Sequence, residues 1–158
     1  MVRRVMIAAA TATVVALSPV AFAQQPDHGS ADEAKAMLLK AVAAVKADKA
    51  KALDMFNKGE GGFLDRDLYP FCSDASDGKI VAVGNPRAKQ LIGTDGRLLK
   101  DSTGKAYGQE MFSAAQKPEG QITEVSYLFS RPSDPNPVPK VSFLTRVGDI
   151  YCGVGYYK

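Results

Sequence analysis

"KVSFLTRVGDIYCGVGYY", Lys140 to Tyr157, decides how the rest of the chain is read. Two runs rich in β-branched and aromatic residues, Lys140–Val147 and Ile150–Tyr157, flank Gly148-Asp149, a two-residue turn signal, and together predict a hairpin. A hairpin alone is marginal in water, so further strands and a cover must come from upstream. Immediately before it, Arg131–Pro139 holds Pro132, Pro135, Pro137 and Pro139 and is expected to be a loop. Gln121–Phe129 alternates as a strand, with Thr123, Val125, Tyr127 and Phe129 on one face. Lys105–Lys117 reads as a helix carrying Tyr107, Met111, Phe112 and Ala115 on one side, closed by Pro118. Asn85-Pro86 opens a loop that runs past Gly93, Asp95 and Gly96. Upstream of that loop, Leu68–Cys72 and Lys79–Val83 are strand candidates joined across Asp77-Gly78.

The first long element is helical. Ser30 and Glu33 form a capping box, and Met37, Leu38, Ala41, Val42, Val45, Ala52, Leu53 and Phe56 follow at spacings of three and four. The stripe weakens near Asp48-Lys49 and stops at Gly59, Gly61 and Gly62. No internal repeat is visible. The order is helix, two strands, helical crossover, three strands: an α+β domain with a five-stranded, mainly antiparallel sheet.

The N-terminus has a different character. Arg3 and Arg4 precede a 13-residue apolar run, Val5–Leu17, and Ala21-Phe22-Ala23 is a small-x-small cleavage site. Residues 1–23 are therefore expected to be a secretory signal peptide, too short for a membrane span, and 24–29 a flexible tail. Cleavage after Ala23 leaves 135 residues, one domain's worth, with 18 basic against 17 acidic side chains. The +3 of the whole chain thus overstates its basicity, and no Lys/Arg cluster with interleaved aromatics invites nucleic acid. No second apolar stretch reaches membrane length, so a periplasmic or secreted product without membrane insertion is expected. Cys72 and Cys152 are the only cysteines, without a C-x-x-C motif. In an exported chain they read as a structural disulfide, the alternative being a reactive thiol.

Catalytic signatures are missing. The one histidine, His28, falls in the expected tail, and no serine has a Gly-x-Ser-x-Gly context. The acidic turn Asp74, Ser76, Asp77, Gly78 departs from a calcium loop, because its glycine comes fifth and Asn85 holds the twelfth position. Asp65 and Asp67 around Arg66 suggest a local ion pair. No metal, cofactor or enzyme activity is expected.

Three longer words carry a resemblance: "FNKGEGGFLDRDLYPFCSDASDGKIVAVGNP", "LIGTDGRLLKDSTGKAYGQEMF" and "VSYLFSRPSDPNPVPKVSFLTRVGDIYCGVGYYK". In this order they resemble the single Cache domain of the second type, a PAS-like extracytoplasmic sensor fold, over Ser30 to Lys158. The resemblance implies strand order 2-1-5-4-3, with the first and last strands adjacent, which would bring Cys72 beside Cys152. It also implies a pocket between sheet and crossover for a small organic ligand, often a carboxylate. Such a site needs one cation, a few hydroxyl donors and aromatic walls.

Lys140 matches the family's lysine on the fourth strand, Ser142 shares its face, and Tyr127 matches the tyrosine of the third strand. Tyr69 and Phe71 alternate with Cys72 and face away from it. The bland alternatives are a solvated strand-end lysine and a core tyrosine. This chain departs from the pattern where many relatives carry a His before the Asn-Pro loop: here Val83 stands, and the first strand lacks the usual Trp. Arg87, just past Pro86, is the candidate replacement cation. In receptors of the family the strand with the Val-Gly-x-Gly-Tyr word leads to a membrane helix and an output module. A chain ending at Lys158 is therefore expected to signal through a membrane receptor or transporter partner. The competing expectation is a structural or degenerate module that binds only protein; a small exported enzyme is a third.

Overall fold

A computed structural model describes residues 27–158; the expected signal peptide and its cleavage site lie outside the described residues. Two helices lead, α1 (Ala31–Ala47) and α2 (Lys49–Lys58), followed by β1 (Pro70–Asp74) and β2 (Ile80–Val83). A crossover with 3-10 turns at Pro86–Leu91 and Gly96–Leu98 leads to α3 (Tyr107–Ala115). Strands β3 (Thr123–Ser130), β4 (Pro137–Val147) and β5 (Ile150–Tyr157) complete the chain.

The capping box forms as expected: Ser30 Oγ accepts from the Glu33 amide at 3.2 Å, and Glu33 Oε2 accepts from the Ser30 amide at 2.7 Å. The weak point of the stripe is a true break. Asp48 is extended, ends α1 and caps α2 by accepting from the Lys51 amide at 3.0 Å. Gly59, at φ 71°, stops α2 in the left-handed conformation that favours glycine. The helical stripe and one face of the sheet close a single core, in which Leu38, Ala41 and Phe56 meet Cys72, Phe143, Cys152 and Val154.

The five strands run antiparallel in the order β2-β1-β5-β4-β3. Val147 pairs with Ile150 across Gly148 and Asp149, so the hairpin turn lies where the sequence puts it. Cys72 faces Cys152 across β1 and β5 and the two form a disulfide, with Cα atoms 4.1 Å apart.

Several boundaries differ from expectation: β2 starts one residue late, at Ile80, and β3 runs from Thr123 to Ser130 rather than from Gln121 to Phe129. β1 begins two residues late, at Pro70, and the helical crossover segment is trimmed to Tyr107–Ala115. The larger correction is the proline-rich segment: Pro137, Val138 and Pro139 are strand residues, paired with Ser130, Phe129 and Leu128. β5 ends at Tyr157 opposite Lys140, and the Lys158 amide donates to the Pro139 carbonyl at 2.9 Å. Pro139 therefore turns the N–H it lacks toward the side where β5 has run out, and the β3 ladder loses no bond.

The outer strands are finished by side chains and loops. On β2, Asn57 Oδ1 accepts from the Val83 amide at 2.9 Å and the Thr94 carbonyl accepts from the Ile80 amide at 3.0 Å. On β3, Asp101 Oδ2 accepts from the Leu128 amide at 3.1 Å, while Lys105 Nζ donates to the Ser126 carbonyl.

The acidic stretch before β1 is organised differently from a local pair alone. Arg66, at φ 55°, binds Asp65 at 3.0 Å but also Glu33 of α1 at 2.7 Å. Asp67 turns inward instead. It accepts from the Gly29 amide at 2.8 Å and pairs with His28 at 3.1 Å and Arg131 at 3.4 Å. His28 and Gly29, expected in a flexible tail, are thereby tied to the domain. His28 has a structural partner here, away from the pocket described next.

Candidate functional site

Period two puts Tyr151, Gly153, Gly155 and Tyr157 on the face of β5 opposite Cys152. That face, with its neighbours on the other strands, forms the floor of a pocket; the crossover and α3 form its roof. Tyr69, Phe71 and Ser73 enter from β1 and the residue before it, Ile80 and Val83 from β2, Tyr127 and Phe129 from β3, and Lys140 from β4. Leu91, Leu99, Tyr107 and Met111 close it from above. The cavity measures about 50 Å³.

The two glycines of the last strand are what let Lys140 and Phe71 into this space. A Cβ on Gly155 would sit 2.4 Å from Lys140 Cε and 2.3 Å from Ser142 Oγ, and one on Gly153 would sit 2.4 Å from the Phe71 ring. The Val-Gly-x-Gly-Tyr word is thus a clearance requirement of the pocket as well as a strand.

Lys140 is 1% exposed, which removes the solvated strand-end reading. Its Nζ donates to the Tyr69 hydroxyl at 2.7 Å and lies 4.0, 4.8 and 5.3 Å from the ring centres of Tyr69, Tyr157 and Phe129. Burial pulls its pKa down from 10.5 to about 7, opposed by the field of Asp67. Tyr69 also accepts from Asn85 Nδ2 at 3.2 Å and meets the Tyr157 hydroxyl at 3.2 Å; Tyr157 in turn donates to the Ser130 carbonyl at 2.7 Å. Tyr127 stacks on Tyr107 with centres 4.3 Å apart, and its hydroxyl is 2.9 Å from Ser142 Oγ. Burial holds Tyr69 and Tyr127 neutral well above the usual phenol range and pushes Tyr107 up to about 12.

Of the sequence candidates, Lys140, Tyr127, Tyr69 and Phe71 come together as pocket lining. Ser142 is fully buried behind Tyr127 and reaches the pocket only through that hydroxyl. Arg87 does not join them: it is exposed and its Nε donates to the Pro132 carbonyl at 3.0 Å. Val83, where the family resemblance leads one to look for a histidine, is an apolar wall. Tyr107, Tyr151, Tyr157 and Asn85 were not singled out as site residues. For Tyr151 and Tyr157 the signal was present, since the β5 alternation that buries Cys152 turns both toward the pocket. No group of three or more His, Cys, Asp or Glu that could hold a metal occurs among the described residues.

Solved structures of chemotaxis and chemosensory proteins share this architecture. The chain superposes on a methyl-accepting chemotaxis protein from Vibrio parahaemolyticus with TM-score 0.64 and 23% identity, covering 80% of this chain and 86% of that one. A periplasmic sensor domain of a chemotaxis protein gives 0.59 and 23%, over 80% and 88% of the two chains. A Cache chemosensory domain described for carboxylic acid recognition gives 0.58 and 20%, over 80% and 86%. At these identities the likeness establishes a common fold, that of Cache sensor domains. The model of the single Cache domain 2 family matches residues 2–157, and the chain belongs to that family. Among curated proteins none matches it. No helix among the described residues is long and apolar enough to cross a membrane.

Proposed function

We propose that this protein is an exported small-molecule recognition module, which binds a small organic acid in the pocket above β1, β3 and β4 and passes occupancy to a membrane receptor or transporter. One observation carries the reading: Lys140 is a lone cationic side chain turned into a pocket whose other lining residues are apolar or aromatic, apart from Ser73. A carboxylate is the ligand group that such a cation matches, and apolar walls suit a short hydrocarbon body. Family membership supports ligand binding in general, and the buried Cys72–Cys152 bridge suits an oxidising compartment.

A second reading has its own observation. Lys140 already rests on three rings and the Tyr69 hydroxyl, as in a module that has filled its own pocket and binds only protein. Thermal melting against small carboxylates, amines and purines separates the two. A ligand at 100 times its dissociation constant adds about 2.7 kcal/mol and raises the melting point. If no compound shifts melting, and Lys140→Ala alters no interaction, the small-ligand reading is wrong.

A further inference from the structure

Lys140 enters the pocket without an acid beside it. Its Nζ makes one side-chain hydrogen bond among the described residues, to a phenol that also accepts from Asn85. A second cation close by, Arg131, lies over the Tyr157 ring at 5.0 Å and is paired with Asp67; the groups that share the pocket with Lys140 are Tyr69 ahead of β1, Tyr127 and Phe129 from β3, Tyr151 and Tyr157 from β5 and Tyr107 from α3. All of these are aromatic, and the hydroxyls among them stay neutral at physiological pH. The carboxylate whose field reaches Lys140 is Asp67, already engaged by Gly29, His28 and Arg131. On the roof side, Asp95 is committed to Arg97, Glu110 to Lys105, and Asp101 to Thr103 and the Leu128 amide.

We infer that a carboxylate enters this pocket together with a proton, the ligand supplying the counter-charge that the buried Lys140 amine lacks. The inference rests on the carboxylate reading above. The balance is simple: amine, proton and carboxylate become an ammonium–carboxylate pair, equivalent to binding the undissociated acid and moving its proton to Nζ. Burial without a counter-ion disfavours the charged amine, and an anion in contact restores it. Lys140 titrates near 7 in the empty pocket. Above that pH the apparent affinity falls about tenfold per pH unit until the pKa of the occupied state is reached. The domain then responds to organic acids most strongly on the acidic side of neutrality.

Titration calorimetry of the mature chain with acetate, propionate, butyrate and benzoate tests this. At pH 9 binding should be on the order of 10- to 100-fold weaker than at pH 6. In phosphate against Tris near pH 8.5 the heats should report close to one proton taken up per acid. Lys140→Arg, charged throughout this range, should hold one affinity from pH 6 to 9, and His28→Gln should keep the wild-type dependence. An acid that binds with equal affinity at both pH values and no buffer-dependent heat overturns the inference and leaves the carboxylate reading standing. If none of the four binds the folded wild type at either pH, both fall.

Discussion

Replacing Lys140 by methionine keeps a flexible chain of similar length and removes the buried charge. The consequence for stability can be worked from its titration. In the unfolded chain Lys140 holds its proton up to the ordinary 10.5, whereas in the fold it releases it near 7. Between those values the unfolded state binds more protons, so stability rises with pH, by up to about 1.4 kcal/mol per unit. At pH 7 the buried lysine therefore costs on the order of 4 kcal/mol relative to a neutral side chain. Against this, methionine forfeits the bond to Tyr69, worth about 1 kcal/mol, although the phenol keeps Asn85 and Tyr157 as partners. Lys140→Met should accordingly gain about 3 kcal/mol at pH 7 and less than half of that at pH 9. Urea denaturation of both proteins at the two pH values is the assay, and the difference between them cancels every other titrating group. Parallel pH profiles, or a variant less stable than wild type at pH 7, would refute the account of Lys140 as an uncompensated buried amine.

Three further outcomes are expected. Gly155→Ala places a methyl 2.4 Å from Lys140 Cε, so it should destabilise by roughly 1–3 kcal/mol and abolish any binding that depends on Lys140, read by denaturation and calorimetry. The Cys72–Cys152 bridge closes a separation of 80 residues, for which the chain-entropy model gives about 4.5 kcal/mol; Cys152→Ser should lower the denaturation midpoint accordingly, and a loss below 1 kcal/mol would contradict that model here. Glu33 is held down to about 2, first by its bond to Arg66 and then by Ser30, so its contribution is present above pH 4.5 and lost as pH falls toward 2. Glu33→Gln should flatten the fall in melting temperature between pH 5 and 2.5, and an unchanged slope would rule the capping pair out as its source.

What could be read in advance follows how local each signal is. Ser30, Glu33 and Gly59 act within a turn of themselves, and the structure has them as read; Asp48, read only as a weak point in one long helix, ends α1 and caps α2. The Gly148-Asp149 hairpin is equally local, and the strand order came from the resemblance. Pro137–Pro139 misled because proline excludes a ladder bond on one side only, and which side is free depends on where β5 ends. The partly legible pocket shows the same limit. Lys140 and Tyr127 sit on one face by period two, but nothing within β5 says that Tyr157 reaches Tyr69, or that Asn85 stands behind both. Asp67 looked like half of a local pair with Arg66; its real partners, His28 and Arg131, are 39 and 64 positions away and are brought close only by the fold.

The side chains that finish the outer strands have a consequence for assembly. An open strand edge is a template on which a second copy or an extended peptide can lengthen the sheet. Here Asn57 and the Thr94 carbonyl occupy positions along β2, and Asp101 and Lys105 occupy the middle of β3. The Thr103 hydroxyl, first, and the Leu128 amide hold Asp101 ionised down to about 2, so that plug survives ordinary acidity. With those positions taken, β2 and the middle of β3 offer little open edge on which a second copy or an extended peptide could add a strand.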